Sequence, residues 1–210
     1  MTGATAAAGG VAEHPAGAVY DDAMTDWAAL FDESEPAQGA TVEEIARFVA
    51  SVGGPLSPTE IEMIRLQDNP FPVGHPLHDA YEPPDPASWS LPTRPLPESY
   101  LSLLRWSNGG WARSGEREMA FFPAGDPTSG VRAMALDYEI PAYLPGALPI
   151  AFDGSGTFYL LDMRADPDEG EYPVVGAHAA SLGWGPEQQV LLGFTLEQAC
   201  AGRARVEDLR

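Results

Sequence analysis

The chain has 210 residues, enough for one domain with an appendage and a core of real size, and its 31 Asp and Glu face only 11 basic residues, all arginine, for a net charge of −20. A surface of that sign repels phosphate backbones and anionic lipid, which argues against nucleic acid and membrane as partners and leaves a basic protein as the better match, or plain solubility as the acidity's purpose. The single cysteine, Cys200, cannot close an internal disulfide, and no stretch approaches the ~18 apolar residues of a membrane span. The start "MTGATAAAGG" lacks the positive charge of a secretory signal, and the chain reads as cytoplasmic.

Residues 1–40 are rich in Ala and Gly and carry Glu13, Asp21, Asp22, Asp26, Asp32, Glu33 and Glu35 with no basic residue, which reads as an acidic, flexible tail dispensable for folding over residues 1–23. One island interrupts it: Met24, Trp27, Leu30 and Phe31 share a helical face that could dock on the body or on a partner. From Thr41 to the end the chain reads as a single domain, 41–210. Thr41 with Glu44 makes a capping box before Ile45, Phe48, Val49 and Val52, and Gly53-Gly54 ends that helix. Ser57, Pro58 and Glu60 open a second helix carrying Ile61, Ile64 and Leu66. Eight prolines between 68 and 95 then predict an extended loop running over the surface.

The stretch "LPESYLSLLRWSNGG" is a three-turn helix with its punctuation. Pro97 suits a first turn, and Tyr100, Leu103 and Leu104 make one apolar stripe. Asn108, Gly109 and Gly110 accept positive φ, which predicts a left-handed cap and a sharp turn. Beyond it the period shortens. Met119–Phe122 reads as a strand, "SGVRAMALDY" as a helical turn or two, and Leu148–Phe152 with Thr157–Asp162 as a hairpin about Asp153-Gly154-Ser155-Gly156. Tyr172–Ala177 and Val190–Leu192 are further strands, and Thr195 with Gln198 caps a last helix in which Cys200 is a small buried apolar group. Helices, then mostly antiparallel strands, then a helix make an α+β fold.

Reactive constellations are hard to find. "GSG" at 154–156 is neither a dinucleotide fingerprint nor a Walker loop. His75 and His78 with Asp79 have ligand-like spacing, but they sit in the proline-rich loop with nothing placed to complete a tetrahedral site, and no metal or other cofactor is expected. His14 and His178 stand alone, Cys200 lacks an evident base, and neither H-E-x-x-H nor G-x-S-x-G occurs, so no catalytic residue is assigned.

Leu96-Pro97, the aromatic Tyr100 and Asn108-Gly109-Gly110, at this spacing, resemble the signature of the SUKH superfamily, the Smi/Knr cell-wall-assembly-regulator-like proteins. "PIAFDGSGTFYLLDMR" resembles the family's strand, Gly-rich turn and second strand ending in Asp-x-Arg: Asp153, Gly154, Gly156, Asp162 and Arg164 match, and Ser155 stands where glycine is common. The resemblance extends over roughly 41–201. It departs at the proline-rich loop, since in compact members a first helix leads almost directly to Leu-Pro. What it implies is an α+β fold with helices packed on a mostly antiparallel sheet, motif residues that are structural, and no catalysis. For bacterial members it implies an immunity protein that neutralises a co-encoded toxin, often a nuclease; the alternative is a regulatory or scaffold module without a toxin partner. If the partner is a basic toxin domain, Asp166, Asp168, Glu169 and Glu171, in the loop between two strands, are the expected recognition residues, while Asp162 and Arg164 are placed to pair with each other.

Overall fold

A computed structural model describes residues 25–67, 69, 71–82, 85–128, 130–182 and 185–209. Its first elements are not tail. Asp26 caps α1 (Trp27–Leu30) by accepting from the Ala29 amide at 3.2 Å, Trp27 is 2% exposed, and its Nε1 donates to Ser102 Oγ at 3.1 Å. Phe31 stacks on Trp106 with centroids 5.7 Å apart. β1 (Glu33–Pro36) then pairs antiparallel with β4 (Gly110–Ser114), and the Ala40 amide donates to Leu104 O at 2.8 Å. The segment expected to be flexible up to residue 40 is therefore part of the body from Trp27 onward. Composition averaged over forty residues hid it, because its carboxylates face out while Trp27, Phe31 and Ala40 turn in. Met24 and the rest of residues 1–24 lie outside the described residues.

Both expected capping boxes close, Thr41 with Glu44 on α2 (Val42–Ser51) and Ser57 with Glu60 on α3 (Pro58–Arg65). Between them β2 (Gly54–Pro55) pairs with β3 (Ser90–Leu91). This pairing corrects the picture of a loop running wholly over the surface, for Pro86, Trp89 and Leu91 are buried at its far end. In α4 (Glu98–Trp106) Tyr100, Leu103 and Leu104 are each 1% exposed. Pro97 occupies the cap position, and the helix ends at Ser107 with φ −148° and ψ 113°, extended rather than left-handed. The positive φ falls at Gly109 and Gly110, 101° and 87°, where the chain turns into β4.

β5 (Arg117–Phe121) returns along β4, and the short helices α5 (Val131–Asp137) and α6 (Ile140–Tyr143) lead to β6 (Ala147–Phe152), β7 (Thr157–Asp162), β8 (Val174–His178) and β9 (Gln189–Gly193), with α7 (Leu196–Ala201) closing. Among the described residues the larger sheet has seven strands in the order β1-β4-β5-β6-β7-β8-β9, every neighbouring pair antiparallel. Successive strand residues face opposite ways, and both sides are covered: Tyr138, after α5, meets Phe158 edge-on at 4.7 Å, whereas a Cβ on Gly176, the partner of Tyr159, would lie 2.6 Å from Val206 Cγ1. The fold is α+β, as expected. No helix among the described residues is long and apolar enough to cross a membrane.

Candidate functional site

The Asn-Gly-Gly stretch is a joint where three pieces of chain meet. Ser107 Oγ accepts from the Ala37 amide at 2.9 Å, Asn108 Oδ1 accepts from the Ala124 amide at 2.6 Å, and the Asn108 amide donates to Gln38 O at 3.3 Å. A Cβ on Gly110 would come within 2.6 Å of Glu35 O and 2.7 Å of Ala37 N, so β1 can lie beside β4 only if residue 110 has no side chain. Pro97 and Tyr100 are buried and Leu96 partly so, which puts this half of the motif in the core.

The second half is a turn. Asp153 Oδ1 accepts from the amides of Ser155 and Thr157, each at 2.8 Å, and Oδ2 accepts from Ser155 Oγ at 2.8 Å. Burial raises the Asp153 carboxyl's pKa, but these donors prevail and hold it below the usual carboxylate range. The Asp153 amide donates to Thr157 O at 3.0 Å, so the connection spans Gly154, Ser155 and Gly156, one residue longer than the tight two-residue turn that Asp-Gly suggests. At the far end of β7 the Asp162 carboxylate grips Arg164 in a fork, Nε to Oδ1 and Nη2 to Oδ2 at 2.7 Å each. Arg164 also donates to Gln189 Oε1 at 2.8 Å and ties β7 to β9.

The four carboxylates expected to meet a partner do not act as one group. Asp166 is ion-paired with Arg94, and Glu171 Oε2 accepts from Ser99 Oγ at 2.7 Å, with burial pushing its carboxyl up. Asp168 and Glu171 exchange backbone hydrogen bonds at 2.9 Å about a turn in which Glu169 and Gly170 have φ 49° and 87°. Asp168 and Glu169 are left at an exposed tip.

Two arginines organise regions whose connections span too much sequence to be read from local pattern. Arg132 on α5 grips Glu60, Nε to Oε1 at 2.6 Å and Nη2 to Oε2 at 3.0 Å, and also donates to Val52 O at 3.0 Å. That guanidinium, working against burial and helped by Ser57, holds the Glu60 carboxyl down to about 2. The pair sits in a cleft of about 590 Å³ whose apolar wall includes Phe48, Val52, Met63 and Leu136. Arg117, 3% exposed, donates to Ala199 O at 2.7 Å and Ala204 O at 3.0 Å, which pins the chain after α7 against β5. Both are structural clamps, legible in sequence only as isolated arginines.

Other chemically capable groups are engaged in packing. His75 stacks on Phe71 at 4.9 Å, and His78 Nδ1 lies 2.6 Å from Phe71 O, so the "HPLHD" imidazoles brace their own loop. Cys200 is buried, which raises its thiol pKa. The hydroxyls of Tyr100 and Tyr172 are buried without a hydrogen-bond partner. Among the described residues no group of three or more His, Cys, Asp or Glu is placed to hold a metal ion.

Arg65, Arg94, Arg105, Arg113, Arg132, Arg164, Arg203 and Arg205 are all ion-paired within the chain, so the excess charge presented outward is carboxylate. No curated protein matches the chain. Residues 91–191 match the SMI1 / KNR4 family (SUKH-1), and the match runs from β3 through the Leu-Pro helix, the Asn-Gly-Gly joint and the Gly-rich hairpin into β9. Over residues 91–191 the chain therefore carries a SUKH-1 domain, and through that segment it joins the SUKH superfamily.

Proposed function

We propose that the chain is a non-catalytic binding protein of the immunity type, which acts in the cytoplasm by seating on a basic toxin domain and covering its working surface. The observation that carries this reading is the charge: −20 overall, with eight arginines paired to carboxylates within the chain and the acidic excess left to the solvent. Such a field raises the rate of encounter with a cationic partner by ~10 to 10³-fold at low salt. Asp168 and Glu169, at their exposed tip, are the recognition residues best placed to contribute, with Asp166 shared with Arg94 and Glu171 held by Ser99.

The test is rescue. A toxin-like product encoded in an adjacent reading frame is required by this reading; expressed in a sensitive cell it should arrest growth, and co-expression of this chain should restore it. A purified pair should associate more slowly when Asp168→Ser and Glu169→Asn are combined, with the deficit shrinking as salt rises. Growth arrest unrelieved by the chain, in cells where it is present and folded, would overturn the reading and favour a regulatory module without a toxin.

A further inference from the structure

A sheet that does not close into a barrel has two edge strands, each with a row of main-chain donors and acceptors turned outward, and proteins blunt such edges with charge, proline or cover. Here the two edges differ. β1 carries Glu33, Glu35 and Pro36, all exposed, and Glu33 is ion-paired with Arg113 on the neighbouring strand. β9 has neither charge nor proline of its own; Arg164, itself paired with Asp162, reaches Gln189 Oε1 at 2.8 Å, and α7 and the 3₁₀ turn Val206–Leu209 pack against the strand. From Gln188 to Leu196 the chain holds neither a charge nor a proline, and among the described residues β9 pairs with β8 alone. The register slips between Val174 and Val175, so Leu192 is the extra residue of a bulge; it tucks into the core at 9% exposed, while Leu191 and Phe194 remain 48% and 66% exposed. Leu209, 43% exposed, lies on the 3₁₀ turn packed on β9.

We infer that the open edge of β9 is a docking site for one extended segment of a protein partner, a strand with apolar residues at alternate positions and basic residues at both ends. Main-chain pairing with Gln189–Leu191 would supply affinity, and apolar side chains over Leu191 and Phe194 would set register. The basic ends follow from what bounds the neutral run. Glu187 and Glu197 stand at its two limits, and Glu116, Glu207 and Asp208 gather about the one guanidinium of Arg205. A second copy of this chain is a poor occupant. Each copy brings −20, and a strand of five residues with three apolar side chains covers far less than the roughly 1,000 Å² that a stable interface needs. The inference rests on the reading that the chain works by binding a protein, and it says where.

The experiment uses the full chain and synthetic nine-residue peptides: two lysines on each side of a Val-Thr-Val-Thr-Val centre, the same peptide with glutamates for lysines, and the lysine peptide with alternate amides N-methylated. Titration calorimetry should show binding of the lysine peptide, and binding about tenfold weaker or worse for the other two, since one loses charge complementarity and the other its donors. Leu191→Lys and, separately, Phe194→Ser should weaken the lysine peptide by about tenfold at unchanged melting temperature. Equal affinity for the N-methylated peptide, or no binding of the lysine peptide, overturns the inference. So does sedimentation that reveals a dimer dissolved by Leu191→Lys, because the edge then belongs to a second copy. Peptide binding without rescue of growth leaves the edge standing and removes the immunity reading; rescue without peptide binding does the reverse.

Discussion

At one margin of the sheet β1 runs through Glu33, Glu35 and Pro36; at the other β9 runs from Gln189 to Gly193 with no charge and no proline. The two strands have the same topological position, each at one end of the sheet, and they differ in their side chains. β1 is also anchored from several directions, by Trp27 in the core, by the Ala37 amide on Ser107 Oγ and by the approach to Gly110. It precedes the segment that matches the SUKH-1 family, whereas β9 falls at that segment's end. An edge finished in this way is closed to another strand, and an edge left neutral beside acidic residues is open to one of opposite charge.

The comparison breaks most visibly at its closed side. Trp27→Ala removes a side chain 2% exposed and its hydrogen bond to Ser102, and should cost about 3–5 kcal/mol, as large-to-small changes in a core do. A fall in melting temperature of ~10 °C is expected for a domain of this size, and a shift of a degree or two would mean that the segment from 25 to 40 is not part of the cooperative unit. Gly110→Ala acts on the same margin through a φ of 87° and a contact of 2.6 Å with Glu35 O. About 2 kcal/mol is expected from strain and displacement together, read as a lower urea midpoint with faster amide exchange in β1.

Acid should loosen the closed edge through one identifiable group. Asp32 accepts from the Gly115 amide at 2.7 Å and from Arg203 Nη2 at 2.7 Å, and those donors, the amide first, hold its carboxyl below its ordinary value. A depressed carboxylate contributes stability that is whole above its unfolded pKa, near 3.9, and is lost as pH falls through the lower folded value. Exchange of the β1 amides, followed from pH 5 downward, should therefore quicken below about 4, and Asp32→Asn should remove that dependence. The smallest effect belongs to the open side. Leu191→Lys and Phe194→Ser should each change stability by less than about 0.5 kcal/mol, because both residues are exposed in the free chain. A loss of several degrees in either would show that β9 is already covered.

Much of this was legible in the sequence where the signal is local. The Thr41–Glu44 and Ser57–Glu60 boxes, the Tyr100-Leu103-Leu104 stripe and the hairpin about Asp153 each involve residues within four or five positions, and all appear at their expected places. β1 and β4 were not legible. "ESEP" and "GWARS" show no alternation of apolar and polar residues, and they are strands because Trp27 and the Ser107–Gly110 joint hold one against the other. The clamp of Arg132 on Glu60 joins positions 72 apart and leaves no local trace. Which strand ends the sheet is likewise a property of pairing order, so a neutral run such as "QVLLG" reads as one more strand until its neighbours are known.

The most direct measurement is amide hydrogen exchange on the full chain, free and saturated with the lysine-flanked peptide, compared at the two margins. Slower exchange is predicted within Gln189–Gly193, with Glu33–Glu35 unchanged. Protection appearing at β1, or at neither edge, would contradict the assignment of one closed and one open edge.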